Sequence, residues 1–402
     1  MRNLALLAAF LACSASALAQ DQQVGARTKA MGGSYTAFED DPVSIWLNPA
    51  GIAGQTDSAA LAYQTFTSWE IEIDSSVLSG ADPRIGAVQS WNDPALIPSF
   101  LGVVFQVGTP ESPQAFGFCF TSPFRLDFPM SSTVDTDIPG AEFTQVFYRF
   151  RGSYARDLRF RPVGEEGAFT HLALGIGLDV GVSRIQFREL GATNFPFPLA
   201  FDLTDTGVGG GAGMLLGLYD NTRNFKVNLG AAWDSKIEYK FSASKTFMTN
   251  FDWPNQYQAG MTFYLFEGMP LRVTVDAQLI DWDGAAEDSR VAGAPDFQQV
   301  INYSAGLEYR LPFRPMGEKV SLYPRLGYRR YDAPWESDDR QKQPALGNRR
   351  IVVDPNEDVY EILSVGLGVG WSNEGGRLRT FDMAMDFGGD VAGIAFGFSM
   401  EF

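Results

Sequence analysis

The sequence predicts an all-β transmembrane protein, an antiparallel β-barrel of about fourteen strands with an N-terminal hatch inside its lumen. Three observations lead to this prediction. Apolar and polar residues alternate along many short segments, long and short connections alternate between those segments, and the N-terminal part of the chain lacks the pattern. The chain has 402 residues, of which 13% are aromatic and only 20% are charged. A membrane barrel is one of the few ways to build such a length into a single unit.

The alternation is clearest in two segments of the C-terminal half. Along residues 301–311, apolar side chains from Ile301 to Leu311 occupy every second position, and Glu308 belongs to the polar set between them. A period of two is typical of a strand with one apolar and one polar face. The last segment alternates in the same way and ends on Phe402. An alternating strand with a terminal Phe is similar to the signal that the outer-membrane assembly machinery reads, so we expect that machinery as a partner.

The segments that alternate follow one another along most of the chain. They lie near 59–73, 98–108, 114–124, 141–157, 168–188, 205–219, 225–240, 256–267, 271–283, 299–312, 320–331, 358–372, 377–388 and 391–402. Connections after the first, third and later odd segments are long, and those after even segments are mostly shorter, except for the final Gly389-Asp390. Long loops at one end and short turns at the other are expected of a membrane barrel. A β-sandwich or a propeller would not require them.

The N-terminus predicts export. Residues 4–12 form an apolar run that is too short to span a bilayer, and Ala17 and Ala19 fit the small-x-small rule for signal-peptidase cleavage. We therefore expect a signal peptide at 1–19, a hatch at 20–58 and the barrel at 59–402, with lipidation at Cys13 as an alternative to cleavage. No apolar run of eighteen residues follows, so an exported chain of this type is periplasmic, secreted or a barrel.

The composition excludes several classes of function. Removal of residues 1–19 takes away one cation and no acid, which moves the formal charge from -17 to -18 and argues against nucleic acid as a partner. The single His171 argues against a His-based metal site and has no nucleophile motif beside it. The glycine-rich run at 207–213 lacks the Gly-Lys-Ser/Thr ending of a phosphate loop, and we expect it to let the hatch approach the wall. We therefore expect neither an enzyme nor a cofactor.

The lumen of the predicted barrel needs a filling. Fourteen strands enclose more space than their own side chains occupy, and residues 20–58 suit a compact plug with one or two short helices. Asp41 and Asn48 each precede a Pro, which is typical of a helix start. Charged residues on the polar faces would make the lumen hydrated and of mixed sign; they are Arg149, Arg151, Glu308, Arg310, Arg325, Arg329, Asp382 and Asp386. These charges either pair only with one another or also contact a ligand.

The sequence resembles the FadL-type outer-membrane transporters of long-chain fatty acids and other hydrophobic compounds. The hatch carries the resemblance, in Gly25-Ala26-Arg27, Ala30-Met31-Gly32-Gly33, Asp40-Asp41 and Asn48-Pro49-Ala50-Gly51. Weaker matches lie in the barrel at 121–126, 229–236 and 326–332, with Arg125 where the family usually has Gly. The resemblance covers nearly the whole mature chain.

The resemblance implies a passive channel in a bacterial outer membrane. The ligand would be a hydrophobic small molecule that is caught at the outer loops, passed to a pocket above the hatch and released sideways through the wall near the third strand. On this view Phe124, Leu126, Phe128 and Met130 line the start of a capture loop at 125–140, and Asn48, Pro49, Ala50 and Gly51 shape and gate the hatch. The alternative for the four apolar residues is that they are interfacial anchors in contact with outer-membrane lipid.

The same hatch motif also supports an alternative hypothesis. It also resembles the PorV-like barrels of a Bacteroidetes-type secretion system, which bind protein partners and need not transport lipid. The spellings Met31-Gly32-Gly33 and Asn48-Pro49-Ala50-Gly51 are slightly closer to that branch. A docking barrel predicts a tight protein partner and no apolar pocket in the interior. A purely structural barrel predicts neither.

Overall fold

The protein is described by a computed structural model that covers most of the barrel and the hatch. It describes residues 23–64, 70–73, 88–89, 97–109, 111–130, 140–162, 165–190, 200–221, 224–240, 252–268, 270–283, 298–312, 320–332, 353–354, 359–372, 376–388 and 391–402. The expected signal peptide and the alternative lipidation at Cys13 lie outside these residues.

Fourteen antiparallel strands among the described residues form one closed barrel, as predicted. They are β1 Ser58–Gln64, β2 Ile97–Gln106, β3 Gln114–Met130, β4 Gly140–Arg159, β5 Gly167–Leu190, β6 Ala200–Asp220, β7 Phe225–Asp234, β8 Asn255–Leu265, β9 Leu271–Asp281, β10 Gln299–Tyr309, β11 Val320–Asp332, β12 Val359–Ser372, β13 Leu378–Gly388 and β14 Val391–Glu401. Each strand pairs with the next one along the chain, and β14 closes the ring on β1 with Ser58 opposite Glu401.

Four short extended pieces lie outside this ring of strands. Leu311–Pro312 follows β10 and pairs with the start of β11. Glu70–Ile73, Val88–Gln89 and Val353–Asp354 form a small separate sheet. These pieces belong to the connections and not to the wall.

The strand bounds give the two ends of the barrel different connections. Connections at 107–113, 160–166, 221–224, 266–270, 310–319 and 373–377 are mostly short, the ten residues of 310–319 being the longest, and they define the short-turn end. Those at 65–96, 131–139, 191–199, 235–254, 282–298 and 333–358 define the long-loop end, where residues 389–390 make the one brief link among these connections. This agrees with the alternation that the sequence predicts.

Apolar residues cover the outside of the wall. On β10, Ile301 is 44% exposed whereas Glu308 is 2% exposed, so the predicted apolar face points out and the polar face points into the lumen. Trp233 and Tyr257 face each other across β7 and β8 near the long-loop end. Exposed apolar surface on this scale is rare in soluble monomers, and a belt with aromatic rings near its rim is what a barrel presents to lipid.

A bulge in β3 corrects one predicted boundary. We expected the strand to stop at 124, but it continues to Met130, so the segment predicted to begin a loop at 125 belongs to the wall. The register shifts between Thr121, which pairs with Arg149, and Phe124, which pairs with Phe147. Pro has no N–H to donate, and a bulge is one of the places where a strand tolerates a residue such as Pro123. The bulge lets the strand continue past the Pro.

Strand β7 is shorter than predicted. It ends at Asp234, whereas we expected it to reach 240. The next residues turn into the lumen, where Ile237 and Tyr239 are buried and Ile237 forms a bridge with Trp253. The apolar–polar alternation of β7 continues beyond Asp234 in the sequence, because Ile237 and Tyr239 are buried whereas the residue between them is polar. For β1 the described strand ends at Gln64, residues 65–69 of the predicted segment lie outside the described part of the chain, and Glu70–Ile73 belong to the small separate sheet.

The hatch fills the lumen with short helical pieces. Helix α1 spans Ala26–Ala30, helix α2 spans Ser44–Leu47, and a 3-10 helix spans Pro49–Ile52. Asn48 caps the last of these, with Pro49 at its first position, as the sequence suggested. No helix in the described part of the chain is long and apolar enough to cross a bilayer.

Candidate functional site: the hatch and its cavities

Glycines in the wall let the hatch backbone come close. A Cβ at Gly213 of β6 would lie 2.0 Å from Asn48 Oδ1, and one at Gly327 of β11 would lie 2.1 Å from the nitrogen of Gly32. We call the wall residues of this type the glycine girdle: Gly117, Gly175, Gly213, Gly230, Gly306, Gly327 and Gly366. The girdle shows that the hatch touches strands all round the ring without side-chain spacers.

The glycine-rich run of β6 serves two inner neighbours. Gly213 meets the hatch, in agreement with the sequence-based expectation. Gly207 and Gly209 instead face Ile237, where an added Cβ would lie 2.5 and 2.7 Å from its side chain. The run therefore makes room for the inward-turned segment after β7 as well as for the hatch.

Asn48 ties the hatch together and to the wall. Its side chain is completely buried, and its Nδ2 donates to the carbonyl oxygens of Thr36 at 2.7 Å and Met214 at 3.0 Å. Its Oδ1 accepts from the backbone N–H of Ala50 at 3.1 Å. The side chain of Asn48 thus caps the 3-10 helix, binds a second segment of the hatch and binds β6. These three contacts stabilise the position of the hatch.

Glu308 of β10 anchors the hatch through charge. Both of its oxygens accept from Arg27 of α1 at 2.9 Å, and Arg325 of β11 donates to it at 2.6 Å. Arg272 of β9 lies 3.1 Å away. Arg27 also pairs with Asp40 of the hatch at 3.1 Å. The predicted interior charges therefore pair with one another and, in addition, hold the hatch.

Two further buried networks repeat this arrangement. Arg151 of β4 pairs with Asp179 at 2.8 Å and donates to the carbonyl oxygen of Trp46 at 2.9 Å, while the guanidinium of Arg149 lies 4.7 Å from the centre of the Trp46 ring. Asp386 of β13 binds Lys29 of the hatch at 2.7 Å. The other residues of these networks are Asp234, Arg329 and Ser364. Arg310, which we expected among the inward charges, lies just beyond β10 and is exposed.

Glu39 connects the hatch with two basic residues near the short-turn end. It binds Lys226 of β7 and lies 3.5 Å from Nε2 of His171 on β5. Burial alone would raise the pKa of the Glu39 carboxyl, but the Lys226 ammonium, helped by His171, holds that pKa below its ordinary value. The lone His of the chain is thus a contact of the hatch.

Two cavities flank the hatch. The upper cavity, toward the long-loop end, has a volume of about 70 Å³, and its lining includes Trp46, Leu47, Gln256, Asp276, Gln278 and Asn302. The lower vestibule, at the short-turn end, has a volume of about 400 Å³, and its lining includes Arg27, Asp40, Arg310, Tyr323, Thr380 and Glu401. The lining of the lower vestibule is largely polar, whereas that of the upper cavity is mixed. No cluster of metal-ligating residues lies within the described part of the chain.

The four predicted ligand residues lie after the bulge. Backbone pairing sets Phe124, Leu126, Phe128 and Met130 of β3 opposite Phe147, Gln145, Phe143 and Ala141 of β4. Arg149 and Phe147 of β4 are both buried and belong to the inward-facing row of that strand. Before the bulge this row pairs with odd-numbered residues of β3 such as Thr121, and after the bulge it pairs with even-numbered ones such as Phe124. The side chains of the four residues lie outside the described part of the structure.

An aromatic cluster that the sequence analysis missed lies beside the bulge. Phe147 is 2% exposed, and its ring centre lies 5.7 Å from that of Tyr239 and 5.8 Å from that of Trp253. Trp253 in turn lies 6.2 Å from Trp46 of the hatch. We call these four residues the inner aromatic cluster. The apolar side chain of Ile237 and the rings of Tyr239 and Trp253, within a connection that is otherwise largely polar, are the signal that could have indicated this cluster.

Solved structures of low sequence identity share this fold. A FadL homologue of Pseudomonas aeruginosa matches with a TM-score of 0.57 and 13% identity over 94% of this chain and 97% of that one. The toluene transporter TodX of Pseudomonas putida gives 0.58 and 13% over 95% and 99%. The toluene transporter TbuX of Ralstonia pickettii gives 0.53 and 15% over 94% and 97%. No protein-family profile and no curated protein sequence matches the chain.

The barrel and its lumenal hatch define the class of fold. At these identities the likeness concerns architecture alone, and the architecture is that of the FadL-type barrels. The resemblance that the sequence motifs indicated is therefore confirmed at the level of the fold.

Proposed function

We propose that this protein is a passive channel for hydrophobic compounds in a bacterial outer membrane. The observation that carries the proposal is a closed barrel of FadL-type fold with an apolar outer face and a hatch across its lumen. Solved neighbours of this fold include transporters of toluene. On this proposal the long-loop end faces the outside of the cell and the short-turn end faces the periplasm.

The axial route through the barrel is closed by strong contacts. Arg27 and Lys29 join the hatch to buried carboxylates of the wall, and the glycine girdle leaves little space around the hatch. Breaking one buried pair costs about 3–5 kcal/mol. A ligand that moved straight through would have to break several of them. We propose that it leaves sideways instead.

The bulge in β3 is our candidate for the lateral exit. Pro123 withholds a hydrogen bond from the wall there, and the inner aromatic cluster offers apolar rings directly beside it. On this proposal Phe124, Leu126, Phe128 and Met130 form the apolar path to the bulge. Asn48 and the three residues after it give the hatch its shape at the floor of that path.

Uptake measurements on paired variants test the proposal. In cells whose own hydrophobic channels are deleted, expression of the protein is expected to raise the initial uptake of labelled toluene and of a labelled long-chain fatty acid. Phe124→Ala with Phe128→Ala should lower uptake at limiting ligand by at least tenfold, since a loss of about 1.4 kcal/mol of apolar contact with the ligand already corresponds to a factor of ten. The matched control is Phe116→Ala with Phe118→Ala, which changes exposed rings of the same strand.

The control pair should leave uptake close to the wild-type value. Equal uptake in cells with and without the protein would contradict the proposed function. Equal loss in both variant pairs would contradict the assigned path, because the outer pair contacts only lipid on this proposal.

A docking barrel for a protein secretion system is the second candidate. The upper cavity of about 70 Å³ favours it, because a long apolar ligand needs a larger pocket than this. Native mass spectrometry of protein extracted from its own membrane in mild detergent separates the two. Bound lipid or hydrocarbon supports the channel, whereas a stoichiometric protein partner without bound lipid supports docking.

A further inference from the structure

The upper cavity has a wall made of uncharged amides. Gln256, Gln278 and Asn302 project into it from the consecutive strands β8, β9 and β10. They form a chain in which Asn302 Nδ2 donates to Gln278 Oε1 at 3.4 Å and Gln278 Nε2 donates to Gln256 Oε1 at 3.2 Å. Trp46 and Leu47 of the hatch supply the apolar side of the same cavity. The cavity is therefore amphipathic, with a hydrogen-bonding wall opposite an apolar one.

Two oxygens of the lining still have acceptor capacity. Asn302 Oδ1 and Asp276 Oδ1 are buried and have no hydrogen-bond partner among the described groups. The other oxygen of Asp276 accepts from the backbone N–H groups of Tyr35 at 2.6 Å and Thr36 at 2.7 Å. A buried acceptor without a donor is costly, so this wall favours a group that brings an O–H or N–H.

The cations around the cavity are already committed. Arg329 binds Asp386 at 2.9 Å and Gln23 at 2.8 Å, and Arg330 lies 3.6 Å from Asp332. A carboxylate in this cavity would have to share a cation that already faces another carboxylate, and it would lie near Asp276. Burying an ionised carboxylate without a counter-charge is strongly unfavourable. The lining thus selects against an anion.

We propose that the upper cavity is a subsite for the uncharged hydroxyl group of an amphipathic alcohol or phenol, and not for a carboxylate. The hydroxyl donates to Asn302 Oδ1 or Asp276 Oδ1 and accepts from the amide chain, while the first carbons of the apolar body pack on Trp46 and Leu47. A volume of about 70 Å³ suits such a head group and the start of a tail, whereas the rest of the ligand extends toward the long loops. This inference rests on the proposed channel function and names its substrate class.

Equilibrium binding to the full-length barrel in lipid nanodiscs tests the inference. Labelled dodecanol, dodecanoate, dodecane and 1-methoxydodecane are compared at neutral pH, with binding to empty nanodiscs subtracted. Dodecanol is expected to bind about tenfold more tightly than each of the other three, which corresponds to one lost hydrogen bond or more. The methyl ether keeps the oxygen and lacks the donor, so it tests the unpaired acceptors without any change to the protein.

A variant pair places the effect at the amide wall. Asn302→Leu should weaken dodecanol about tenfold and leave dodecane unchanged. The control Ile301→Leu alters the outward neighbour on the same strand and should change neither ligand. Barrel assembly of both variants is checked by heat-modifiable migration on gels.

Each outcome has a distinct meaning. Dodecanoate or the methyl ether binding as tightly as dodecanol would overturn the inference and leave the channel proposal standing. An unchanged dodecanol affinity in assembled Asn302→Leu would also overturn it. Absence of binding by all four compounds would overturn both the inference and the channel function.

Discussion

Gly213 and Asn48 meet where β6 passes the hatch. At the residue scale this contact is possible only because glycine has no Cβ. An added Cβ at Gly213 would overlap Asn48 Oδ1, and that same amide reaches the carbonyl oxygen of the next residue, Met214. The hydrogen bond forms only because the backbones are close. Gly327 and Gly32 repeat the arrangement on the other side of the lumen.

Gly213→Ala is expected to loosen the hatch. The new methyl must displace Asn48, and overpacking of this type costs about 1–3 kcal/mol in addition to the strained hydrogen bonds. Hydrogen exchange of the hatch amides, followed by mass spectrometry, should become faster around residues 36–50. The control Gly152→Ala adds a methyl whose nearest neighbour is a ring carbon of Phe118 at 3.5 Å, an ordinary contact. Equal exchange in the two variants would contradict the role of the girdle.

Glu308→Gln is expected to open a leak. Glu308 is the shared partner of Arg27, Arg272 and Arg325, and loss of its charge leaves them with fewer counter-charges in a buried place. Removing one partner of a buried ion pair typically costs about 3–5 kcal/mol. Planar-bilayer recordings should show larger and more frequent ion conductance than the wild type. Glu361→Gln, an exposed site on β12, serves as the control, and a leak of the same size there would contradict the assignment.

At the element scale, the strands were predictable and their ends were less so. Residues along β10 and β14 alternate because successive side chains point to opposite faces of the strand. One face is apolar and points outward, and the other is polar and points into the lumen. The end of β3 was misplaced because the strand continues past Pro123 through a bulge, in which two residues of β3 lie opposite one residue of β4. The bulge depends on a residue pairing that the sequence of β3 alone does not contain.

The bulge itself gives a prediction at this scale. Deletion of Ser122 would leave one residue opposite Tyr148 and restore regular pairing, so the bulge disappears while Thr121 and Phe124 keep Arg149 and Phe147 as partners. Uptake of hydrophobic compounds is expected to fall to near background while the barrel still assembles, as judged by heat-modifiable migration. Deleting a residue in the connection at 131–139 is the control. Normal uptake in the assembled Ser122 deletion would contradict a lateral exit at this place.

For the whole molecule, the sequence predicted the number of strands, the alternation of connections and the presence of a hatch. It did not predict how the hatch is held. Asn48 was singled out from its motif, yet its contact with Met214 joins residues 166 positions apart. The same holds for Arg27 and Glu308, which are 281 positions apart. Such residues come together only when the ring closes around the hatch, so local sequence patterns do not predict their contacts.

The seam between β10 and β11 is one of the places in the described ring with the least pairing. Strands β9 and β10 pair over their full length, whereas β10 and β11 pair directly only from Tyr303 with Arg330 to Glu308 with Arg325. Hydrogen exchange should therefore be faster at 299–302 than at 303–308. Peptide-level exchange in nanodiscs checks this, with β9 as the internal reference. Uniform protection along β10 would show that the seam is closed in the membrane.

The closeness of hatch and wall has a consequence for biogenesis. The hatch precedes β1 in the chain, and the ring is complete only when β14 pairs with β1. The hatch touches glycines on strands from β3 to β12 with no clearance, so a finished hatch cannot slide into a finished ring. We therefore expect the strands to pair around a hatch that is already in place. In this sense we expect the hatch to be the template on which the rest of the barrel is folded.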